Sequence, residues 1–293
     1  MSKITTLNLL EMIKRRSFMP ASSITFTDTE LLAIADEEIQ TVLTPMLMSV
    51  KEDYFVDWTD FAVTANSQTI DIPHRSIGLK VKEIHFISSS GQIKNLPRRD
   101  VNHYLSTAAT GEPEAFSIEA NQIKLWPIPA TTSGTIRVYL FLRPNSLVEA
   151  ASSIAITAFD SGAGTIELTS TPSGWTSSLL YDVISKEGGH PCRDFNMVCT
   201  LVSGTTFTFS TTLPSNIAVG DEICVSETTG LVQLPPEFVP ILAQSVSVQI
   251  LEATSQPGAG VQRDRLKMML DQAQKTITGR VEGELKTIRN RWI

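Results

Sequence analysis

The chain has few cysteines and no long apolar run. Its 293 residues include three cysteines, Cys192, Cys199 and Cys224, an odd number that argues against a disulfide framework. No segment approaches the roughly 20 consecutive apolar residues that a membrane-spanning helix needs, and the first residues lack the apolar stretch of a secretory signal. The sequence therefore predicts a reduced protein without a membrane partner, made and assembled in a cytoplasm.

Catalytic and cofactor motifs are also missing. The sequence has no G-x-S-x-G elbow, and its two Gly-x-Gly segments lack the strand-to-helix context of a phosphate-binding loop. The four histidines have no spacing typical of a catalytic or metal site: His74, His85, His103 and His190. A zinc site could be drawn from His190, Cys192, Asp194 and Cys199, but the paired C-x-x-C spacing of structural zinc sites is absent. We therefore expect no enzymatic activity, no cofactor and no metal.

Charge is distributed unevenly along the chain. The net charge of −7 disfavours nucleic acid as a general partner, because duplex binding depends on clustered basic side chains. From Arg263 to the end, however, eight basic side chains stand against four acidic ones. Such a segment fits an acidic neighbour, for which another copy of the chain is one candidate. The alternative is a solvated helix face whose basic last turn favours the helix dipole.

Helical periodicity marks both ends of the sequence. A short amphipathic helix is predicted over 5–17, and Thr27-Asp-Thr-Glu30 has the pattern of a capping box at the start of a long helix that reaches about Tyr54. Pro45 lies inside that run and predicts a kink or a break. Two further helices are predicted after Leu234-Pro-Pro, separated by the Gln256-Pro-Gly-Ala-Gly segment.

The middle of the sequence is predicted to be β structure. Short alternating or β-branched runs separated by turn residues favour antiparallel strands at 68–72, 82–88, 115–119, 122–126 and 135–142. From 150 to 229 the composition becomes richer in Ser, Thr and Gly. There we predict strands at 154–158, 165–169, 180–185, 196–202, 206–210 and 222–227, closing into a small barrel or sandwich that leaves no exposed strand edge.

These elements predict an α+β fold in four parts. N-terminal helices (1–55) and C-terminal helices (230–293) form a helical bundle, an antiparallel β domain occupies 56–149, and a small β barrel or sandwich is inserted at 150–229. Helices at both ends imply that the ends pack together and that the middle protrudes.

Four segments, taken in order, resemble the head-to-tail adaptor (connector) proteins of tailed bacteriophages. They are Leu9-Leu-Glu-Met-Ile-Lys-Arg-Arg, Phe26-Thr-Asp-Thr-Glu-Leu-Leu, the hairpin Gly111-Glu-Pro-Glu-Ala-Phe to Ile123-Lys-Leu-Trp-Pro-Ile-Pro, and Leu234-Pro-Pro-Glu-Phe. The resemblance covers about residues 5–147 and 230–293. The segment 150–229 is not part of it.

The resemblance implies a structural protein of the virion that takes part in viral assembly and DNA ejection. Such adaptors form a ring, usually a dodecamer, which joins the portal protein to the tail tube or nozzle protein. Genomic DNA passes through the lumen without sequence-specific binding. Terminal segments dock on the portal, so residues near the C-terminus are the candidates for the portal or subunit interface: Arg280, Lys286, Arg289, Arg291 and Trp292.

Two alternatives remain open at the level of sequence. The chain could be another tail or baseplate component whose inserted β domain binds a host-surface glycan through exposed aromatic residues such as Trp175 and Tyr181. It could also be an enzyme such as a wall hydrolase, although paired carboxylates such as Glu112 and Glu114 have no apolar pocket in evidence to raise a pKa.

Overall fold

The computed structural model describes residues 4–18, 26–99, 109–187, 192–256 and 258–277. The chain divides into two compact units. One comprises Met1–Tyr54 and Pro144–Ile293 and is called the helix–barrel unit; the other, Phe55–Arg143, is called the sandwich unit. The predicted four-part division of the chain is finer than these two units and stays a prediction.

The helices lie in the helix–barrel unit. They are α1 Thr6–Arg16, α2 Asp28–Glu38, α3 Thr44–Val50, α4 Val239–Ala253 and α5 Ala259–Ile277. At the start of α2 the Glu30 amide donates to the Thr27 hydroxyl at 3.2 Å, while the Glu30 carboxylate accepts from the Thr27 amide at 2.7 Å. The predicted capping box is confirmed. Each described helix is too short or too polar to span a lipid bilayer.

Pro45 interrupts the long N-terminal helix through a change of helix type. A π-helical turn, Ile39–Leu43, follows α2, and Pro45 then sits in the first turn of α3. Proline has no amide hydrogen and its ring crowds the carbonyl group four residues earlier, so the regular hydrogen-bond ladder cannot continue past it. The predicted interruption is therefore observed just upstream of Pro45.

Helix α4 is buried on most of its surface. Of its 15 residues, 11 are buried, and it is contacted by α1, α2 and α5. The Ser247 hydroxyl lies 3.3 Å from the Ile13 carbonyl of α1, and the Glu38 carboxylate of α2 accepts from Ser245 at 2.7 Å and from Gln249. Helices from the two ends of the sequence therefore contact each other through α4.

The sandwich unit is built from short, mainly antiparallel strands. They are β1 Val56–Ala62, β2 Thr69–Asp71, β3 Ser76–Ile87, β4 Ile93–Leu96, β5 Thr110–Gly111, β6 Ala115–Glu119, β7 Gln122–Trp126, β8 Ile128–Pro129 and β9 Thr135–Leu142. One sheet has the order β1-β9-β3-β4 and another the order β2-β7-β6, and β5 pairs with β8 in parallel. Side chains from both larger sheets, including Ile84, Val138, Ile123 and Leu125, share one core.

The bounds of β6, β7 and β9 are those predicted from the sequence. Gly134 precedes β9 with a φ of +105°, and a Cβ atom there would lie 2.6 Å from Cε2 of Phe86. Only glycine fits this approach. The prediction missed β1 and placed the start of β3 six residues late, where shifts of register interrupt its pairing with β9.

The segment after residue 150 closes into a barrel. The strands from here on are β10 Ser146–Leu147, β11 Ile154–Asp160, β12 Thr165–Leu168, β13 Leu180–Ile184, β14 Asp194–Ser203, β15 Thr206–Phe209, β16 Glu222–Val225 and β17 Thr228–Thr229. The closed order is β11-β12-β15-β14-β13-β16. The α+β class is thereby confirmed, and of the two forms predicted for 150–229, a small barrel or a sandwich, the closed strand order shows the barrel.

Aromatic rings fill the barrel. Tyr181 and Phe207 are fully buried, and their ring centroids lie 5.4 Å apart in an edge-to-face arrangement. Trp175 packs against both rings, at 5.2 and 5.8 Å. Such pairs add to the stabilisation from buried area.

Replacing Phe207 with alanine should therefore destabilise the barrel. We expect Phe207→Ala to lower the free energy of unfolding by about 3–5 kcal/mol, because a ring is lost from a closed core. Urea unfolding followed by circular dichroism and tryptophan fluorescence measures the change. Leu201→Ala, at a side chain that is 57% exposed on the barrel, is the matched control and should stay within about 0.5 kcal/mol. Equal losses for the two variants would contradict the assignment of the core.

Candidate docking surfaces

The interface residues predicted near the C-terminus, Arg280, Lys286, Arg289, Arg291 and Trp292, lie outside the described residues. Helix α5 precedes them in sequence. Most of its side chains are exposed or partly exposed, and among its described residues only Ala273 is classed as buried. Much of the surface of α5 is therefore open to solvent.

Arg16 of α1 is held in a polar chain that crosses three helices. Its Nη1 donates to the Pro240 carbonyl at 2.6 Å and lies 3.2 Å from Oε1 of Gln244, both on α4. Gln244 Nε2 in turn donates to Oε1 of Gln262 on α5 at 2.9 Å. This chain fixes the C-terminal end of α1 against the first turns of α4 and α5.

Two exposed arginines accompany Arg16. Arg15 precedes it, and Arg265 follows Gln262 by one helical turn on α5. Partial burial and the neighbouring charges of Arg265 and Arg15 lower the pKa of Arg16. Within the described ranges, no carboxylate forms an ion pair with Arg15, Arg16 or Arg265. These three residues are called the basic face.

Apolar side chains flank the basic face on α5. Val261 and Met268 are each 72% exposed. They lie four residues before and three residues after Arg265, which puts all three on one side of the helix. Large exposed apolar side chains beside an arginine are typical of protein–protein interfaces.

Helix α2 presents the opposite charge. Glu30 and Glu37 are exposed and seven residues apart, with the small exposed residue Ala33 between them. The other side of α2 is buried through Leu31, Leu32 and Ala35. Hydrogen bonds from the Thr27 backbone and hydroxyl lower the pKa of Glu30, so its carboxylate stays ionised. Glu30, Ala33 and Glu37 are called the acidic face.

The sandwich unit has a groove of about 320 Å³ between β1 and β2, each of which is an edge strand of its sheet. Apolar lining comes from Phe61, Val63, Ile70, Leu125 and Pro129. Asp71 is the ionisable residue among the described lining residues, and it accepts from Gln122 Nε2 at 2.7 Å. The groove therefore lacks a pair of converging acid and base groups.

The barrel corrects one expectation about aromatic residues. The glycan-binding alternative required Trp175 and Tyr181 to be exposed, but Tyr181 is fully buried and Trp175 is partly buried against it. The closed barrel needs large side chains to fill its interior, and these two residues do so. The structure therefore does not support glycan binding through these two residues.

A buried polar network joins the barrel to the segments around β10 and β17. Asp182 of β13 has no exposed surface. Its carboxylate accepts from Asn145 Nδ2 at 2.7 Å, from the Asn196 amide at 2.9 Å and from the Glu227 amide at 3.0 Å. The backbone amide of Asn145 also donates to Oε1 of Gln233 at 2.7 Å. The buried charge is thus compensated by several donors.

Asp194 lies near this network but is poorly compensated. Its pKa is raised to about 6, mainly by burial and to a smaller extent by the charge of Asp182, against the lowering effect of a hydrogen bond from the Phe195 amide. Shifted carboxyl groups are candidates for acid–base chemistry. Asp194, however, lies on a barrel strand rather than in the groove described above, so we assign it no chemical role.

Two of the residues considered for a zinc site, Cys199 and Cys192, lie in different surroundings. Cys199 belongs to the barrel core, whereas the Cys192 thiol lies 3.8 Å from Oδ1 of Asn145 and 3.8 Å from Nε2 of Gln233. In the part of the chain that is described, no three His, Cys, Asp or Glu residues are arranged to hold a metal ion. His103 and His190 lie outside the described residues.

Comparison with known proteins identifies the family. The family model described as SU10 adaptor protein matches residues 8–183, which is more than half of the chain. The chain belongs to the SU10 adaptor protein family. No match was found among curated proteins. The protein is accordingly a structural adaptor of a bacteriophage and a component of the virion.

The family match also corrects the extent of the resemblance. The sequence resemblance left out 150–229, whereas the SU10 adaptor match continues through β11, β12 and most of β13. Part of the barrel therefore belongs to the family pattern. Arg265 falls in the basic segment that the sequence indicated, but Arg15 and Arg16 were not singled out as site residues, because only the fold shows that α1 and α5 meet at α4.

Asp182 of the adaptor should be sensitive to the loss of one acceptor atom. In Asp182→Asn, the side-chain NH2 group would face N–H donors that in the wild type bind a carboxylate oxygen. We therefore expect the free energy of unfolding to fall by about 2–4 kcal/mol. Chemical denaturation at pH 7 measures this loss. Asp160→Asn is the control, since Asp160 is exposed and accepts a hydrogen bond from the Ala163 amide that asparagine can also accept. A neutral Asp182→Asn would contradict the network.

Replacing Asp194 of the adaptor with asparagine should have the opposite effect, a gain in the free energy of unfolding at neutral pH. Its pKa in the folded state, about 6, lies above the value of about 3.9 for an unfolded aspartate, so the folded state binds more protons between these pH values. Stability should therefore fall as the pH rises from about 4 to 6. Asp194→Asn keeps an acceptor for the Phe195 amide, removes this pH dependence and should stabilise the protein by about 2 kcal/mol at pH 7. Unfolding free energies measured from pH 4 to 8 test it; parallel curves for the variant and wild type would contradict it.

Proposed function

We propose that this adaptor is the head-to-tail connector of its virion: a ring that joins the portal vertex to the tail and encloses part of the DNA channel. The match of residues 8–183 to the SU10 adaptor family is the observation that carries the proposal. A ring of twelve copies is the stoichiometry that the resemblance to head-to-tail adaptors implies.

The fold supports this role through its helices. Helices from both ends of the sequence contact α4, so a helical bundle made from the two termini would form the body of each subunit and the wall of the ring. Two patches of opposite charge on one subunit suit heterologous contacts, which close into a ring when the rotation between neighbours permits it.

The C-terminal segment would attach the ring to the portal protein. In this proposal Arg280, Lys286, Arg289, Arg291 and Trp292 follow α5 and reach the portal, while the opposite end of the ring receives the tail tube or nozzle protein. Genomic DNA passes through the lumen without base-specific contacts. Assembly takes place in the host cytoplasm, and the adaptor performs no catalysis.

The oligomeric state tests the ring. We expect native mass spectrometry and negative-stain images of the full-length protein, alone and mixed with the portal protein of the same phage, to show rings of one defined stoichiometry under at least the second condition. An adaptor that completes its assembly only on docking would form rings only in the mixture with the portal protein. A monomer under both conditions would contradict the proposal.

Portal attachment tests the C-terminal segment separately. Replacing Arg280, Lys286, Arg289 and Arg291 with alanine should weaken binding to the portal protein at least tenfold, because charge-assisted contacts are lost. Surface plasmon resonance with immobilised portal measures the affinity. The control replaces Lys14, Lys94, Lys124 and Arg137 with alanine, since each of these pairs with a carboxylate of its own chain. Equal affinity for both variants would exclude the C-terminal segment as the docking element.

A further inference from the structure

The basic face and the acidic face belong to different helices of the subunit: α1 and α5 carry the first and α2 carries the second, and α1 is joined to α2 by an ion pair between Lys14 and Asp28 at 2.5 Å. Arg16 and Ile13 of α1 contact α4 through Pro240, Gln244 and Ser247. Glu38 of α2 contacts α4 through Ser245 and Gln249. At 3.6 residues per turn, these two sets of α4 residues point in directions roughly 150° apart.

The electrostatic surroundings of the two faces also differ. The charges that act on Arg16 come from Arg15 and Arg265 and include no carboxylate. Glu30 is influenced by hydrogen bonds from Thr27 and by no basic side chain. Among the described residues, no ion pair joins an arginine of the basic face to Glu30 or Glu37 within one copy, and Arg15, Arg265, Glu30 and Glu37 are exposed.

We infer that the basic face of one copy, with Val261 and Met268, docks on the acidic face of α2 in the next copy. This inference rests on the proposed ring and names the surfaces that close it. Arg265 meets Glu37 or Glu30, and Ala33 leaves room for the apolar side chains of α5. Because the two surfaces differ, the contact is heterologous, and its repetition runs head to tail around a ring when the rotation between neighbours closes.

A second copy suits the basic face better than a nucleic acid does. A phosphate backbone would be matched by the three arginines, but Val261 and Met268 would remain exposed in such a complex. The chain as a whole is acidic, with a net charge of −7, which opposes approach to DNA. The acidic face supplies the complementary charge, and its small central residue supplies the complementary shape.

A charge swap tests the contact in the full-length protein. Arg265→Glu alone and Glu37→Lys alone each place like charges opposite one another, so each should weaken self-association at least tenfold. Sedimentation velocity measures this association for the protein alone and for its mixture with the portal protein. The double variant R265E/E37K restores opposite charges across every contact and should return the association to within about threefold of wild type.

Lys267→Glu provides the matched control. It makes the same change of charge on the same helix, at an exposed residue two positions from Arg265, which turns its side chain away from the basic face. Its association should equal that of wild type. Unfolding curves of all four variants must superimpose on that of wild type, which separates loss of contact from loss of fold.

The outcomes distinguish the inference from the proposed function. Wild-type rings that persist unchanged in Arg265→Glu and Glu37→Lys would overturn this contact and leave the ring in place. Loss of binding to duplex DNA in Arg265→Glu, with self-association intact, would assign the basic face to phosphate and overturn the inference. A wild-type protein that never associates, with or without the portal, would overturn both.

Discussion

The burial of α4 is the constraint on which the helix–barrel unit depends. A helix with 11 of 15 residues buried cannot be stable in water by itself, because its apolar and hydroxyl side chains need neighbours on almost every side. Helices α1, α2 and α5 supply them. The core thus requires segments more than 200 residues apart in the sequence to meet, and the same packing brings Arg15, Arg16 and Arg265 together.

Polar groups make this packing specific. Gln244, Ser245 and Ser247 lie in the buried part of α4, and each forms a hydrogen bond, with Arg16, Glu38 or the backbone carbonyl of Ala243 among the partners. A buried polar group without a partner would cost about 1–3 kcal/mol. Rotation of α4 about its axis would break the bonds to Arg16 and Glu38, so these bonds fix which helix lies on which side of α4.

The sequence predicts local features of this fold well and the distant contacts poorly. Strands β6, β7 and β9 are predicted because their alternating residues lie between clear turns. Strand β1 was missed because its polar residue is buried and its aromatic residue is exposed: Asp57 is 8% exposed and Trp58 is 47% exposed. On the surface, Trp58 is stabilised by Arg137, whose guanidinium lies 5.3 Å from the ring centroid. The exposure predicted for Trp175 and Tyr181 was wrong because composition does not show which residues fill a closed barrel. The basic face required knowledge of where α1 and α5 meet.

Charge on this adaptor acts through its arrangement more than through its total. Each copy carries a net charge of −7. At physiological salt, copies repel one another only weakly beyond the Debye length of about 8 Å. Close contact therefore depends on the side chains at the two surfaces. A surface that joins arginines to exposed apolar side chains gains from burial, which salt does not screen, and takes its orientation from charge. Such a contact discriminates between faces: two basic faces or two acidic faces repel each other, and only the head-to-tail order is favourable. In the proposed ring, two different surfaces of one subunit would thus set the order of its neighbours.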